Sequence, residues 1–499
     1  MKITKRIFSA VMCLVLVIGV VPVYAVSKGD MNADGKILTD DARVVLKIAS
    51  GQITPTGTQK YYADINGDGI INLSDAQKVL SQCADIDPDN FLGKLTQITP
   101  YSKHSSSKTA KFCKVTEIRA ETLPSNNANI RSNPLYSQLP EGTFDYVVSG
   151  PVVDNSSGIS VCYLKSGRKV YTSEVSVFTG YQMPDNKIEL MQSIKQENDS
   201  TSIYLKLDWR VPFVASVKPQ EYEVGYDSRE FNIKDGKFTA DYMDITFYYT
   251  GSATGNMTVP ESDAIKSCAW YINSTNKTAT LRVYFKNADK FYGYNAYYND
   301  NNYLVISFKE PVSSLRGRVI EIDPGHGGYQ PGAVSSSGVS EREITYSIAL
   351  SLKSYLESAG ATVVLSRGNS SSEPEIEERR LNAIASDPDM FVSIHLDSSD
   401  YKSASGCSVY YFKPYSGTLA SSVAYSLSAT VKGGTGKTFS DRGAHFYPFK
   451  VIRIENCPAI LVECGFISNS NDFSIQNSST GRACIAKGIY NGIIAYFNS

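Results

Sequence analysis

The spacing of apolar residues changes along the chain, and each change marks a different kind of element. Residues 7–23 form an apolar run behind Lys2, Lys5 and Arg6, closed by Val23-Tyr24-Ala25. A positive start, an apolar stretch and small residues before a cut site predict a secretory signal peptide over residues 1–25. An uncleaved anchor is the other reading of such a run, and no later segment is long and apolar enough to span a bilayer after cleavage. Helical apolar patterns follow at Val44, Val45, Ile48 and at Val79, Leu80. From about residue 98 to 312 the period falls to two. Runs such as FDYVVSGPVV, TSIYLKLDW, DITFYYTG, ATLRVYFK and NYLVISF are bounded by Gly, Pro, Asn and Ser. They predict short strands of β-sandwiches or small barrels. From Arg316 onward, strand patterns (GRVIEID, ATVVLSR, DMFVSIHLDS, CSVYYF, PAILVECGF) alternate with amphipathic helices such as EREITYSIALSLKSYLESAG and EIEERRLNAIAS. The final helix is GRACIAKGIYNGIIAYF. This alternation predicts an α/β domain with a mostly parallel sheet flanked by helices.

The chain is therefore multidomain, as its 499 residues already imply at about 150 residues per domain. The expected divisions are a signal at 1–25, a small module at 26–88, a linker at 88–97, β-rich domains at 98–180 and 184–312, and the α/β domain at 316–499. With 49 Lys+Arg against 50 Asp+Glu the net charge is −1, which excludes a broad basic surface for polyanions. No nucleotide-binding glycine fingerprint and no nucleic-acid motif occurs. Export permits disulfides, but the cysteines show no CxxC and no zinc-finger spacing, so mostly buried free thiols are expected.

Residues 26–88 contain two copies of Asp-x-Asn-x-Asp-Gly at a spacing of 34, each with Asp at the twelfth position. Calcium is a hard cation that takes six to eight oxygens, about the number such a loop wraps around one point. In the first loop the side chains would come from Asp30, Asn32, Asp34 and Asp41 and a carbonyl from Lys36. In the second they would come from Asp64, Asn66, Asp68 and Asp75, with the carbonyl of Ile70. Ile37 and Ile71, at the eighth positions, can pair at a core. The first loop opens five residues after the cut site, leaving no room for the entering helix of an EF-hand. The arrangement resembles a type I dockerin, a module of two loop–helix repeats, and a dockerin implies two structural Ca2+ and a cohesin domain of a scaffold protein as partner. Leu38 departs from the pattern at the ninth position, where the second copy has Asn72. The module holds six basic and nine acidic groups, so two Ca2+ would turn its charge from −3 to +1.

In the middle, GISVCYLKSGRKVYTSEVSVF resembles the final strands of a bacterial SH3-like wall-binding domain. Residues 184–312 resemble AMIN-type localisation domains. These resemblances imply wall or carbohydrate binding through exposed Tyr, although tyrosines are also ordinary β-face residues.

The chemistry gathers at the carboxyl ends of the α/β strands, where functional residues collect in such sheets. Asp323-Pro-Gly-His326-Gly-Gly ends the first strand, Glu341 opens the first helix, His395 ends the central strand and Glu463 ends a late one. Two His and one carboxylate fit the three protein ligands of a catalytic zinc. Glu463 is then the spare carboxylate for proton transfer. One histidine at a strand end is ordinarily a hydrogen-bonded structural residue, so the joint pattern carries the argument.

DPGHGG, GVSEREITYSIA, SR at 366–367, ERRLNAIASDPDMFVSIHLD, DRG at 441–443 and NCPAILVECGFISN together resemble the zinc-dependent N-acetylmuramoyl-L-alanine amidases. The resemblance covers about residues 317–498. It implies one zinc on His326, Glu341 and His395, catalysis by Glu463, and peptidoglycan as substrate, cut between N-acetylmuramic acid and L-alanine. Two alternatives stay open: a zinc peptidase acting within the stem peptide, and a non-catalytic wall-binding module. Asp323 is a candidate to orient a ligand histidine, Arg379 to hold a structural ion pair, His445 to lie on an exposed loop, and Cys464 to be buried. The whole chain reads as secreted and associated with the cell wall.

Overall fold

The structure is a computed structural model. It describes residues 109–498 apart from 125–136, 154–157, 191–193, 198, 219–221, 225–230, 234–237, 256–257, 312, 370–371 and 373. Before these it describes 28, 29, 31, 37, 39–49, 54–55, 57–65, 69–72, 75, 78 and 79. The signal segment 1–25, the linker 88–97, Leu80 and the proposed calcium ligands Asp30, Asn32, Asp34, Lys36, Asn66 and Asp68 lie outside the described residues.

Near the N-terminus, a helix at Thr39–Ala49 and a short one at Gly57–Ala63 bury Val45, Ile48, Ala63 and Val79, with Ile37 and Ile71 packed against them. The helix at Gly57–Ala63 carries no apolar periodicity beyond its tyrosines, so it left little trace in the pattern.

The β-rich middle forms three larger sheets. Strands within 109–181 make one antiparallel sheet of six. Strands within 186–309 make a six-stranded sheet and an antiparallel four-stranded sheet. The four-stranded sheet joins Phe213–Lys218, Tyr242–Phe247, Thr278–Phe285 and Ile265–Asn273. Strand Thr278–Phe285 alternates half-buried and buried residues along its whole length, as a one-face-in strand must. One apolar core fills the space between these sheets and takes in Phe112, Phe144 and Tyr146 from the first unit. The two β units therefore share packing across residue 182. Some tyrosines of this region face inward: Tyr146, Tyr292 and Tyr294 are buried, and the half-buried Tyr249 hydroxyl donates to Asp145 at 2.6 Å.

The C-terminal domain runs β1 (Val319–Pro324), α1 (Glu341–Ser358), β2 (Thr362–Leu365), α2 (Ile376–Ser386), β3 (Met390–Asp397), β4 (Cys407–Tyr411), α3 (Gly417–Thr435), β5 (Asp441–Phe446), β6 (Ala459–Phe466), α4 (Ser470–Gln476) and α5 (Ser479–Phe497). The sheet order is β2-β1-β3-β6-β4-β5, and every neighbouring pair is parallel except β4 with β6. The apolar faces of β1, β3 and β6 and of α1, α3 and α5 meet in one core. Gly492 on α5 has room for no side chain: a Cβ there would sit 2.4 Å from the Val423 Cα of α3. The two helices thereby touch backbone to backbone.

Glu455, in the loop before β6, ties the middle to this domain. Its carboxylate accepts from the Gln138 amide at 3.0 Å, Lys413 at 3.1 Å and the Tyr294 hydroxyl at 2.8 Å. Its carbonyl accepts from Tyr294 N–H at 2.9 Å and the Tyr415 hydroxyl at 3.0 Å. This junction is at the amino end of β6, opposite the end that carries Glu463. No helix among the described residues is long and apolar enough to cross a membrane. The seven described cysteines are all unpaired thiols.

Candidate functional site

β1 delivers Asp323 and Pro324 to the upper edge of the sheet, and the chain then turns through Gly325 into His326. His326 adopts a left-handed conformation with φ 59°, an unfavourable setting for a residue with a Cβ that must be held from outside. Three arginines hold it. Arg379 of α2 donates to Asp323 at 2.5 Å, to the Pro324 carbonyl at 2.9 Å and to the His326 carbonyl at 2.7 Å. Arg367 donates to the carbonyls of Pro324 at 3.0 Å, Asn369 at 2.8 Å and Arg342 at 2.7 Å. Arg342 donates to the Gly328 carbonyl.

Asp323 is buried and accepts from Arg379, the Ser366 hydroxyl and the Ser393 hydroxyl, the last at 2.7 Å. It bonds neither histidine, so the expectation that it orients a ligand imidazole is corrected. Its short side chain is saturated by partners that brace the loop backbone. Arg379 forms the buried ion pair.

Glu341 is the first residue of α1 and almost fully buried. Its Oε1 accepts from Leu396 N–H at 2.9 Å and lies 3.0 Å from His395 Nδ1. Its Oε2 accepts from Ala333 N–H at 2.9 Å and lies 3.2 Å from His326 Nε2. The donor atoms of His326, Glu341 and His395 lie within 4.8 Å of one another. Burial works to raise the Glu341 carboxyl, but bonds from His326 and His395 outweigh it and hold the group well below the usual carboxylate range. Two imidazoles around a buried carboxylate kept ionised form a donor set suited to a divalent metal of zinc's softness. The glycines make this convergence possible. A Cβ on Gly325 would sit 2.4 Å from His395 Cε1, and one on Gly332 would sit 2.5 Å from Glu341 Oε2.

Glu463 of β6 pairs directly with His395 of β3. Its Oε2 is shielded from solvent and has no hydrogen-bond partner among the described residues. Burial first, then the nearby Glu341 and Asp397, push its carboxyl well above the ordinary range. A carboxyl that readily takes a proton beside a metal-type donor set is equipped for acid–base work.

His445 lies on β5 rather than on an exposed loop. It pairs with Tyr410, its ring centroid 5.6 Å from the tyrosine's, and its Nε2 is 2.9 Å from the Arg442 carbonyl. A bulge in β5 at Arg442-Gly443 keeps the strand in register past the glycine, which the polar DRGAH stretch disguised as a loop. Cys464 is buried, its thiol pushed well up by burial. Three site neighbours went unread in the sequence: Asp397, two residues beyond His395, Ser408, which pairs with Glu463, and Tyr410. The period-two spacing of His395 with Asp397, and of Ser408 with Tyr410, is the signal that would have found them.

At the N-terminal module two of the described ligand candidates are turned inward. Asp41 and Asp75 are buried; Asp41 accepts from Met31 N–H at 2.7 Å, and Asp75 from Asn72 N–H at 3.0 Å. Asp64 accepts from Gly69 N–H at 3.1 Å across its loop. The Ile70 side chain is exposed, leaving its carbonyl as the group that could serve a cation.

Residues 320–495 match the N-acetylmuramoyl-L-alanine amidase family and residues 28–82 the dockerin type I domain. The probable cell wall amidase LytH of Staphylococcus epidermidis is 33% identical over 187 residues, 37% of this chain and 60% of that protein. LytH of Staphylococcus aureus is 30% identical over 210 residues, 42% of this chain and 68% of that protein. The crystal structure of N-acetylmuramoyl-L-alanine amidase from Clostridium difficile 630 is 30% identical in sequence, with a TM-score of 0.34, over 37% of this chain and 98% of that one.

Proposed function

The chain belongs to the N-acetylmuramoyl-L-alanine amidase family, and from that premise we propose that it is a secreted, wall-associated peptidoglycan hydrolase that cuts the amide between N-acetylmuramic acid and L-alanine. The single observation that carries this reading is the convergence of His326, Glu341 and His395 beside a spare, proton-avid Glu463 on the next strand. His326, Glu341 and His395 would hold one zinc. Bound there, zinc would act as a Lewis acid and lower the pKa of a water toward about 7. Glu463 Oε2 takes the proton from the attacking water and returns it to the departing alanine nitrogen. Leu396 and Ala333 N–H groups keep the Glu341 carboxylate in place throughout. Arg379 and Arg367 hold the His326 loop rigid, so the donor geometry is set before substrate arrives.

The N-terminal module is read as a dockerin that binds two calcium ions and a cohesin domain of a scaffold protein, with Asp30, Asn32, Asp34, Lys36, Asp41, Asp64, Asn66, Asp68, Ile70 and Asp75 as ligands. Residues 98–180 are read as an SH3-like domain and 184–312 as an AMIN-like sandwich. The Glu455 junction would carry both as one body on the far end of the catalytic sheet, leaving the site open. The test is clearing of purified peptidoglycan by the purified chain. EDTA should stop clearing and zinc should restore it; clearing that persists without metal would reject the zinc reading.

A further inference from the structure

Four arginines stand around the site, and three have fixed duties. Arg342, Arg367 and Arg379 donate to backbone carbonyls of the His326 loop and its surroundings. Arg442 differs. It is exposed, and its guanidinium donates no hydrogen bond to any described residue; it lies over the Phe466 ring at 5.1 Å.

Its position follows from the strand register. Across the sheet, His395 of β3 pairs with Glu463 of β6, and Glu463 pairs with Ser408 of β4. The bulge between Cys407↔Asp441 and Val409↔Ala444 puts Arg442 and Gly443 of β5 opposite Ser408. Arg442 thus stands at the end of the row that holds a metal-type ligand and the proton carrier. Phe466, beneath the guanidinium, pairs with Asp397. A cation–π contact steadies the guanidinium and leaves its N–H fork unused, the arrangement that takes a carboxylate in two parallel bonds. The surroundings sharpen the assignment. Of the four arginines at this end of the sheet, Arg442 alone keeps its guanidinium clear of the loop carbonyls, so it is the side chain placed to receive an anionic substrate group.

We infer that Arg442 is the specificity-determining residue that binds a carboxylate of the peptide on the alanine side of the scissile amide. This rests on the amidase reading. In peptidoglycan the residue after L-alanine is a γ-linked D-glutamate, whose α-carboxyl is either free or amidated, so nature supplies the matched pair of substrates the inference needs.

The test uses the zinc-loaded full chain and two muramyl peptides identical except for a free or an amidated α-carboxyl at that residue. The wild type should favour the free acid about tenfold in kcat/KM, mostly through KM, the scale of one partly solvated charge-assisted contact. Arg442→Ala should bring the two substrates level. Arg442→Lys should restore part of the preference, because it keeps the charge without the fork. A wild type that cuts both equally, or an Arg442→Ala variant that keeps the preference, overturns the inference and leaves the amidase reading intact. A wild type that cuts neither peptide, yet digests wall elsewhere, overturns the amidase reading on which it rests.

Discussion

Gly325 offers a direct way to displace one donor without touching it. A Cβ added there would lie 2.4 Å from His395 Cε1 and 2.6 Å from both ring nitrogens. Ordinary carbon contacts lie at about 3.5–4.0 Å, so the imidazole of Gly325→Ala must retreat by about 1 Å. Nothing in the backbone opposes the substitution, since Gly325 is not among the positive-φ glycines. The overlap should cost about 1–3 kcal/mol of stability, the usual range for overpacking. Function should fall further, because an error of about 1 Å in a catalytic arrangement costs about 10²-fold in rate. Gly436→Ala is the control. It carries φ +67 at the end of α3 with nothing within 4 Å of the added Cβ, so it costs about 1 kcal/mol of backbone strain and moves no donor. Both variants are to be compared with wild type in melting temperature, zinc retained after dialysis and rate of wall clearing. Similar melting losses are expected, with zinc and clearing lost only in Gly325→Ala. If Gly325→Ala keeps its zinc and clears wall at the wild-type rate, His395 is not a donor held against that glycine.

Glu463→Gln should reduce clearing by about 10²–10⁴-fold, the usual contribution of a general base. Zinc content should stay unchanged, because Glu463 is not one of the three donors, and melting temperature near pH 7 should not fall, because the amide replaces a carboxyl whose charged form burial disfavours; wild-type clearing would remove Glu463 from the mechanism. Glu321, buried in β1, is pushed up to about 8 from 4.5 by burial and by Asp323, against a bond from Ser386. Its folded pKa is raised, so its favourable contribution is complete below pH 4.5 and is lost as pH rises through about 8. Glu321→Gln escapes that loss and should gain melting temperature over wild type between pH 5 and pH 9; a difference that does not change with pH would contradict it. EGTA should abolish binding to a cohesin domain and expose residues 28–87 to protease, and binding that survives EGTA would contradict the calcium loops.

Much of the catalytic domain could be read from apolar spacing, because parallel strands buried on both faces and amphipathic helices leave strong and distinct patterns. His326, Glu341, His395 and Glu463 could be singled out because each lies towards or just past the carboxyl end of a strand or opens a helix, the places where a parallel sheet exposes its residues. What they do together could not be read from spacing, since His395 and Glu463 meet only through the sheet order. Asp323 was misjudged because its partners, Ser366, Ser393 and Arg379, come from three different elements. His445 and Arg442 depend on a bulge, which inserts a residue without changing the pattern on either side. Glu455 sits in a loop with no periodicity, and its partners arrive from more than 300 positions away in the case of Gln138. The shared core of the β-rich part was equally hidden. Phe112, Phe144 and Tyr146 look like inner-face residues of their own unit, and only the packing of Tyr146 against Trp209 and Tyr249 of the neighbouring unit reveals a common interior.

The central claim is the identity of the bond that is cut. Purified peptidoglycan digested by the zinc-loaded chain should release intact stem peptides with a free N-terminal L-alanine, identifiable by mass, and leave glycan strands that keep the lactyl carboxylates. Peptide fragments cut inside the stem, with the muramyl–alanine amide still closed, would contradict the account.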